Sequence, residues 1–223
     1  MDIYLVRHGE SMANANLTSE LDSALTPLGG WQARQTAARL RSEGLTRIYV
    51  SPLRRTLQTA SPICEATVLP AALYADICEY FSNRHPEYQE FSGLSLDEIR
   101  SEFSFVTLTD DFSCGEQWWP RSLENHQTVY ERAVRVRNSL LERFGTTDEK
   151  ILIVSHAETV GRLIEAFLRV PPNPDGPPWS ENCAISRLHC SPNSDSPAEL
   201  VYVNNTHHFS VDNTYYLAGP DEC

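Results

Sequence analysis

No apolar run in this chain approaches the ~20 residues that a membrane-spanning helix needs. Cys-x-x-Cys pairs are absent, although there are six cysteines: Cys64, Cys78, Cys114, Cys183, Cys190 and Cys223. Scattered in this way, they are expected to be reduced thiols of an intracellular protein, not a disulfide framework. The seven histidines show no H-E-x-x-H spacing and no paired Cys/His pattern. Even the adjacent His207 and His208 lack the further partners of a zinc site, so no metal is expected. Positive charge is scarce: 18 Lys and Arg face 30 Asp and Glu, for a formal charge of −12. Such a surface repels nucleic acid and anionic lipid at long range, so neither is an expected partner. A basic segment followed by an apolar one is missing after Met1, which gives a cytoplasmic protein as the expectation. There is no internal repeat.

What is present is a core and an alternation. At 223 residues and 41% hydrophobic content, the chain can bury one sizeable core, and the expectation is a single domain over residues 1–223. Ile3–Val6 reads as a short buried strand that ends in Arg7, His8 and Gly9, followed by Glu10, Ser11 and Asn14. Thr26 and Pro27 open a helix with a good N-cap and a proline at its first position, and Gly29–Gly30 marks close helix packing. Ile48–Val50 is a second strand, and Ser51–Pro52 opens the helix that follows. Strand, turn and helix thus recur, which points to a parallel sheet. Arg54 and Arg55 stand in the first turn of that helix, where a cation opposes the macrodipole unless an anion is near.

A third strand is expected near Leu73–Tyr74. From about residue 77 to 125 the chain is irregular and aromatic, with Tyr80, Phe81, Trp118 and Trp119 among its rings; it reads as a lid over the sheet. Ser95 and Glu98 form a capping box there, predicting a short helix from Leu96 to Phe103. A helical period runs from about Ser122 to Phe144. Ile151–Ser155 is the clearest strand, and it ends in His156, just as the first ends in His8. A helix over Ala157–Val170, a Pro-rich surface loop and two strands, Ala184–Cys190 and Glu199–Val203, complete the chain.

Ligands of open parallel sheets bind beyond the carboxyl ends of the strands. That edge collects Arg7, His8, Arg55 and His156, two guanidiniums and two imidazoles suited to a tetrahedral anion. A neutral imidazole can also attack phosphorus and carry the phosphoryl group covalently. In its motifs the sequence resembles the histidine phosphatase superfamily, also called phosphoglycerate mutase-like. The likeness runs from RHGES and Asn14 through LTPLGGWQA, SPLRRTLQTASPICEA and YADICEY–SGLSLDEI to SHAET. It implies a three-layer α/β/α sandwich with a mainly parallel central sheet.

The same resemblance implies His8 as a nucleophile that becomes phosphohistidine, and Glu79 as proton donor to the leaving oxygen. Arg7, Asn14, Arg55 and His156 would hold the phosphoryl group, with Arg55 rather than Arg54 falling at the family's second arginine. No cofactor is implied. Ser82 stands where mutases have Gly, residues 83–91 are an insertion, and CGEQWWPRSLENHQ lacks a basic substrate loop. These departures favour a metal-independent phosphatase for phosphomonoesters, on a small metabolite or a phosphoprotein. The alternatives are a phosphoglycerate mutase or sugar-bisphosphate phosphatase, and an inactive interaction module of the same fold. Neither substrate nor oligomeric state can be read from the residues.

Overall fold

The computed structural model describes residues 1–81, 91, 93–108, 118, 123–191 and 197–209. Among the described residues, seven strands form one sheet in the order β4-β3-β2-β5-β1-β6-β7. They are β1 (Asp2–Arg7), β2 (Arg47–Val50), β3 (Ala71–Leu73), β4 (Val106–Leu108), β5 (Lys150–Ser155), β6 (Ile185–His189) and β7 (Glu199–Asn205). The helices are α1 (Pro27–Leu40), α2 (Arg54–Thr67), α3 (Leu96–Glu102), α4 (His126–Phe144) and α5 (Ala157–Leu168). Strands β1 to β5 pair in parallel, while β6 and β7 add an antiparallel edge.

The strand β1 is buried along its whole length because both faces of the sheet are covered. Its period of two divides the core. Tyr4 and Val6, with Leu152 and Val154 of β5, pack on Ala37, Leu40, Leu57, Ala60 and Ile63 of α1 and α2. Ile3 and Leu5, with Ile151 and Ile153, pack on Ala133, Val136, Leu140, Leu163 and Phe167 of α4 and α5. This is the expected three-layer sandwich. Among the described residues no helix is long and apolar enough to cross a membrane. Cys64, Cys78, Cys183 and Cys190 are unpaired and buried; Cys114 and Cys223 lie outside the described residues.

Most element ends follow local chemistry. The Thr26 hydroxyl accepts from the Gly29 N–H at 3.0 Å, and the Ser95–Glu98 box caps α3. Elsewhere the structure departs from expectation. The helix α4 starts at His126, not near Ser122, since Asn125 caps it by accepting from the N–H groups of Gln127 and Thr128. Likewise, α2 starts at Arg54 after an extended Leu53, with no side-chain cap, because the Ser51 hydroxyl is engaged elsewhere. The third strand is Ala71–Leu73, one step earlier than expected. Val106–Leu108, inside the stretch read as a lid, is an edge strand of the sheet itself. Trp118 in that stretch is buried with Leu53, Ala75, Cys78 and Phe81, and its indole N–H donates to Leu94 O at 2.7 Å; it is a small core under the acid-bearing loop. Trp119, Ser82, residues 83–90 and the chain after 209 lie outside the described residues.

Close packing at Gly29 is literal. A Cβ there would sit 2.0 Å from the Glu10 carbonyl oxygen, and one on Gly9 would sit 2.6 Å from the Gly29 oxygen. The turn that carries His8 therefore lies backbone to backbone on α1. Gly30 is different, with open space up to the Arg34 side chain at 3.6 Å. Gly29→Ala is expected to lose about 3 kcal/mol, the upper end of overpacking costs. Gly30→Ala should be neutral or gain up to about 1 kcal/mol of helix propensity. Urea midpoints of the two variants check this.

Candidate active site

The register of the central strands places the site. Arg7 pairs with Ser155 across β1 and β5, and Val50 pairs with Val154 across β2 and β5. His8, His156 and Ser51 are the next residues of their chains, so the three meet at one sheet edge. The two imidazole rings lie 5.2 Å apart between centroids. Leu73 of β3 lies beside Val50, and the chain beyond it delivers Glu79 to the same edge.

His8 Nδ1 lies 2.7 Å from Gly9 O. A carbonyl only accepts, so Nδ1 carries the proton and Nε2 keeps its lone pair. That lone pair accepts from Arg55 Nε at 3.1 Å. The Gly9 N–H is held in turn by Thr59 Oγ1 at 3.0 Å, which locks the turn onto α2. Burial first, and then the cations of Arg55 and Arg7, push the His8 pKa well below its ordinary value. His156 is held by Ser51 Oγ at Nε2, 2.8 Å away. Its Nδ1 is buried without a hydrogen bond among the described residues and faces Glu79 Oε2 at 3.5 Å. Burial, followed by Arg55, His8, Arg132 and Arg7, lowers its pKa in the same way.

The structure brings the remaining expected residues to this place. Arg55 reaches from His8 to Glu79, with Nη2 at 3.4 Å from Glu79 Oε2, and its Nη1 donates to Leu21 O at 2.8 Å. Arg54 turns away to pair with Glu102 of α3, which answers the macrodipole question without any ligand. Arg7 donates through Nη1 to Ser180 O at 2.8 Å, while its buried Nε has no partner among the described residues. Asn14 is tied in through Asn182, whose amide donates to Asn14 Oδ1 at 3.2 Å and to His8 O at 2.9 Å. Glu10 of the same motif serves α1 instead, accepting from the Thr26 hydroxyl at 2.7 Å.

His8, Glu79 and His156 offer ligand atoms within 4.8 Å of one another, close enough for one ion to bridge. Arg55, however, already bonds two of the three, so the positive charge among these groups is a guanidinium. The arrangement suits an anion with several oxygens, presented with an unprotonated imidazole nitrogen on one side and a carboxyl group on another.

The Histidine phosphatase superfamily (branch 1) model matches residues 3–206. The protein belongs to the histidine phosphatase superfamily. Relatives within reach of sequence comparison include a "Probable phosphoglycerate mutase GpmB" of Enterobacter sp. (strain 638), 32% identical over 200 residues, covering 84% of each chain. The protein of that name from Erwinia tasmaniensis is 31% identical, again over 84% of each chain. Two solved structures share the fold at lower identity. Entamoeba histolytica phosphoserine phosphatase, as a mutant in complex with phosphoserine, is 22% identical, with a TM-score of 0.65 over 93% of this chain and 98% of that one. A mycobacterial glucosyl-3-phosphoglycerate phosphatase with VO3 is 21% identical, with a TM-score of 0.67 over 92% of this chain and 99% of that one.

Within this superfamily member, several residues at the site escape the sequence reading. Ser51, expected to cap a helix, instead orients His156. Arg132 of α4 is the larger omission. It binds Glu124 through Nε at 2.7 Å and Nη2 at 2.8 Å, and spends its other donors on the carbonyls of Asp76, Cys78 and Glu79. Glu124 also accepts from the Phe81 N–H at 3.3 Å. Thr159 and Ser155 hold the Cys78 and Ile77 carbonyls at 2.7 Å each. The loop carrying Glu79 is thereby pinned from α4, α5 and β5. One signal could have found the arginine. Arg132 falls on the apolar stripe of Val129, Ala133, Val136 and Leu140, where an unpaired charge could not be buried.

Two outcomes follow from this geometry. Arg132→Met should destabilise by about 3 kcal/mol, since it leaves the largely buried Glu124 carboxylate unpaired, and adding Glu124→Leu should restore part of that loss in thermal or urea unfolding. The second outcome concerns pH. Folded His8 and His156 stay neutral where the unfolded chain protonates them near 6.5. The unfolded state therefore binds more protons below that pH. Stability should be full above about pH 6.5 and decline as pH falls toward the depressed folded values, and His156→Gln should flatten the slope of urea midpoint against pH.

Proposed function

We propose that this protein is a phosphatase that hydrolyses phosphomonoesters through a phosphohistidine on His8. The observation that carries the reading is the state of that imidazole: Nδ1 is fixed on Gly9 O and Nε2 keeps its lone pair, amid Arg7, Arg55 and His156. In the first step Nε2 attacks phosphorus and the ester P–O bond breaks. The leaving oxygen takes a proton from Glu79. In the second step Glu79 accepts a proton from water, whose oxygen attacks phosphorus; the N–P bond breaks and phosphate leaves. Arg7, Arg55 and His156 match the charge that spreads over the transferring oxygens, and Asn14 adds an amide contact. Preorganised donors of this kind supply most of the stabilisation in phosphoryl transfer. Because the guanidiniums provide the cationic charge, no divalent ion is required.

Mutase activity is the second reading, favoured by the naming of the relatives that are 31–32% identical. Ser82 and most of residues 83–91 and 114–127, where the preference for hydrolysis arises in the sequence, lie outside the described residues. Net phosphate release from a panel of phosphorylated metabolites separates the two, because a mutase returns the group to its substrate.

His8→Ala should abolish turnover and labelling by radioactive phosphate ester. Glu79→Gln should lose about 10²–10⁴-fold with alkyl phosphates, the usual contribution of a positioned acid. Its first step should suffer less with p-nitrophenyl phosphate, whose leaving group needs little protonation. Label trapped in that variant should survive alkali and be lost in acid. Activity should persist in EDTA. A fully active His8→Ala protein, or label stable to acid, would refute the mechanism.

A further inference from the structure

The chain from Pro177 to Cys183 crosses the anion site and touches it repeatedly. Ser180 O accepts from Arg7 Nη1, and the Asn182 amide donates to His8 O. The Cys183 N–H donates to Arg7 O at 2.9 Å. The segment is docked on both sides. At one end Pro177 lies so close to Gly161 of α5 that a Cβ on the glycine would meet Pro177 Cβ at 2.5 Å. At the other, the Glu181 N–H donates to Asn204 Oδ1 of β7 at 2.7 Å.

Within this segment Trp179 has no evident reason of stability to be tryptophan. It is 61% exposed, so it recovers little of the apolar burial that makes the residue useful in a core. What it does touch is specific. The Arg7 guanidinium carbon lies over its ring, 5.1 Å from the centroid, and its indole N–H is fixed to Glu181 Oε1 at 3.0 Å. Arg7 itself is only 7% exposed. Its single anchor among the described residues is the Ser180 carbonyl on Nη1, with Nε buried and unpartnered. Packing confines the stem, but one hydrogen bond leaves the guanidinium plane able to swing about that contact. A π face beside the cation restrains the swing, and its quadrupole answers part of the positive charge. Oxyanions bind a guanidinium through its N–H groups, so the ring and a phosphoryl group need not compete.

We propose that Trp179 is a positioning residue of the anion site, holding the Arg7 guanidinium against its indole so that the N–H donors are presented to the phosphoryl oxygens. The proposal rests on the reading of Arg7 as a phosphoryl ligand. It extends the working site to a residue in the Pro-rich loop, which no motif marks.

Orthovanadate, a mimic of the transferring phosphoryl group, tests it by calorimetry on the full chain. Trp179→Ala should weaken vanadate binding about 5- to 20-fold, the range a cation–π contact supplies. Trp179→Leu keeps apolar bulk without a π face and should weaken it alike, which also covers the case of an alanine variant that melts early. Trp179→Phe should stay within about 3-fold of wild type, because a smaller π face remains. Wild-type affinity in the leucine variant, or a phenylalanine variant as weak as leucine, overturns the proposal. The two readings fail separately. Trp179-dependent vanadate binding without hydrolysis of any ester leaves the proposal standing and removes the phosphatase reading. Hydrolysis with vanadate affinity unchanged in the leucine variant does the reverse. A wild-type protein that does not bind vanadate removes both.

Discussion

Everything in the site depends on the in-register parallel pairing of β1 with β5. Two strands of equal length, each buried, end level with one another at Arg7 and Ser155. The histidines that follow are therefore neighbours without either loop having to reach. A slip of one residue would turn the side chains of one strand to the opposite face, exchanging the sets that meet α1 and α2 with those that meet α4 and α5. The core on both faces thus enforces the register, and the register sets the distance between the rings. The geometry of the site is a by-product of packing a central strand on both sides.

The same logic explains which parts are legible in the sequence. Long apolar strands flanked by good caps are visible because their cause is local: Ile3–Val6, Ile151–Ser155, the Thr26 cap and the Ser95–Glu98 box all stand where the residues place them. Arg7, His8 and His156 are visible because they end such strands, and Arg55 because it stands in the first turn of the helix after one. Val106–Leu108 is not, since a strand of 3 residues with two of them exposed has no periodicity to read. It is a strand only because β3 offers it an edge. Ser51 misleads for a related reason. Locally a serine before a proline is a helix cap, and only the arrival of His156 from a distant strand gives its hydroxyl a better partner. Arg132 shows in the letters only as a charge on an apolar stripe, with its carbonyl partners unmarked, and Trp179 meets the distant Arg7 through a ring face, which leaves no pattern at all.

The two halves of the site are built differently. His8 sits on a turn welded to α1 by the facing glycines and to α2 by Thr59. Glu79 sits on a loop whose own carbonyls are the ligands of a buried arginine. The first is fixed by backbone contact, which tolerates no added atom. The second is fixed by charge and hydrogen bonding, which tolerate small adjustments. The group that, in the proposed mechanism, must hold one angle of attack stands on the rigid half. The group that, in the same proposal, serves first as acid and then as base toward differently placed oxygens stands on the compliant half.

The hydrogen bond from Arg55 Nε to His8 Nε2 has a consequence for the resting protein. The lone pair with which His8 would attack in the proposed mechanism is sheathed by a guanidinium. An electrophile drifting in from the surroundings meets an imidazole whose free nitrogen is already occupied. A multiply charged oxyanion is the kind of visitor whose charge would draw the guanidinium toward itself and so uncover the nitrogen as it arrives. In the proposed mechanism, arming and recognition are then a single event, and the safety catch is the side chain that would also receive the phosphoryl group.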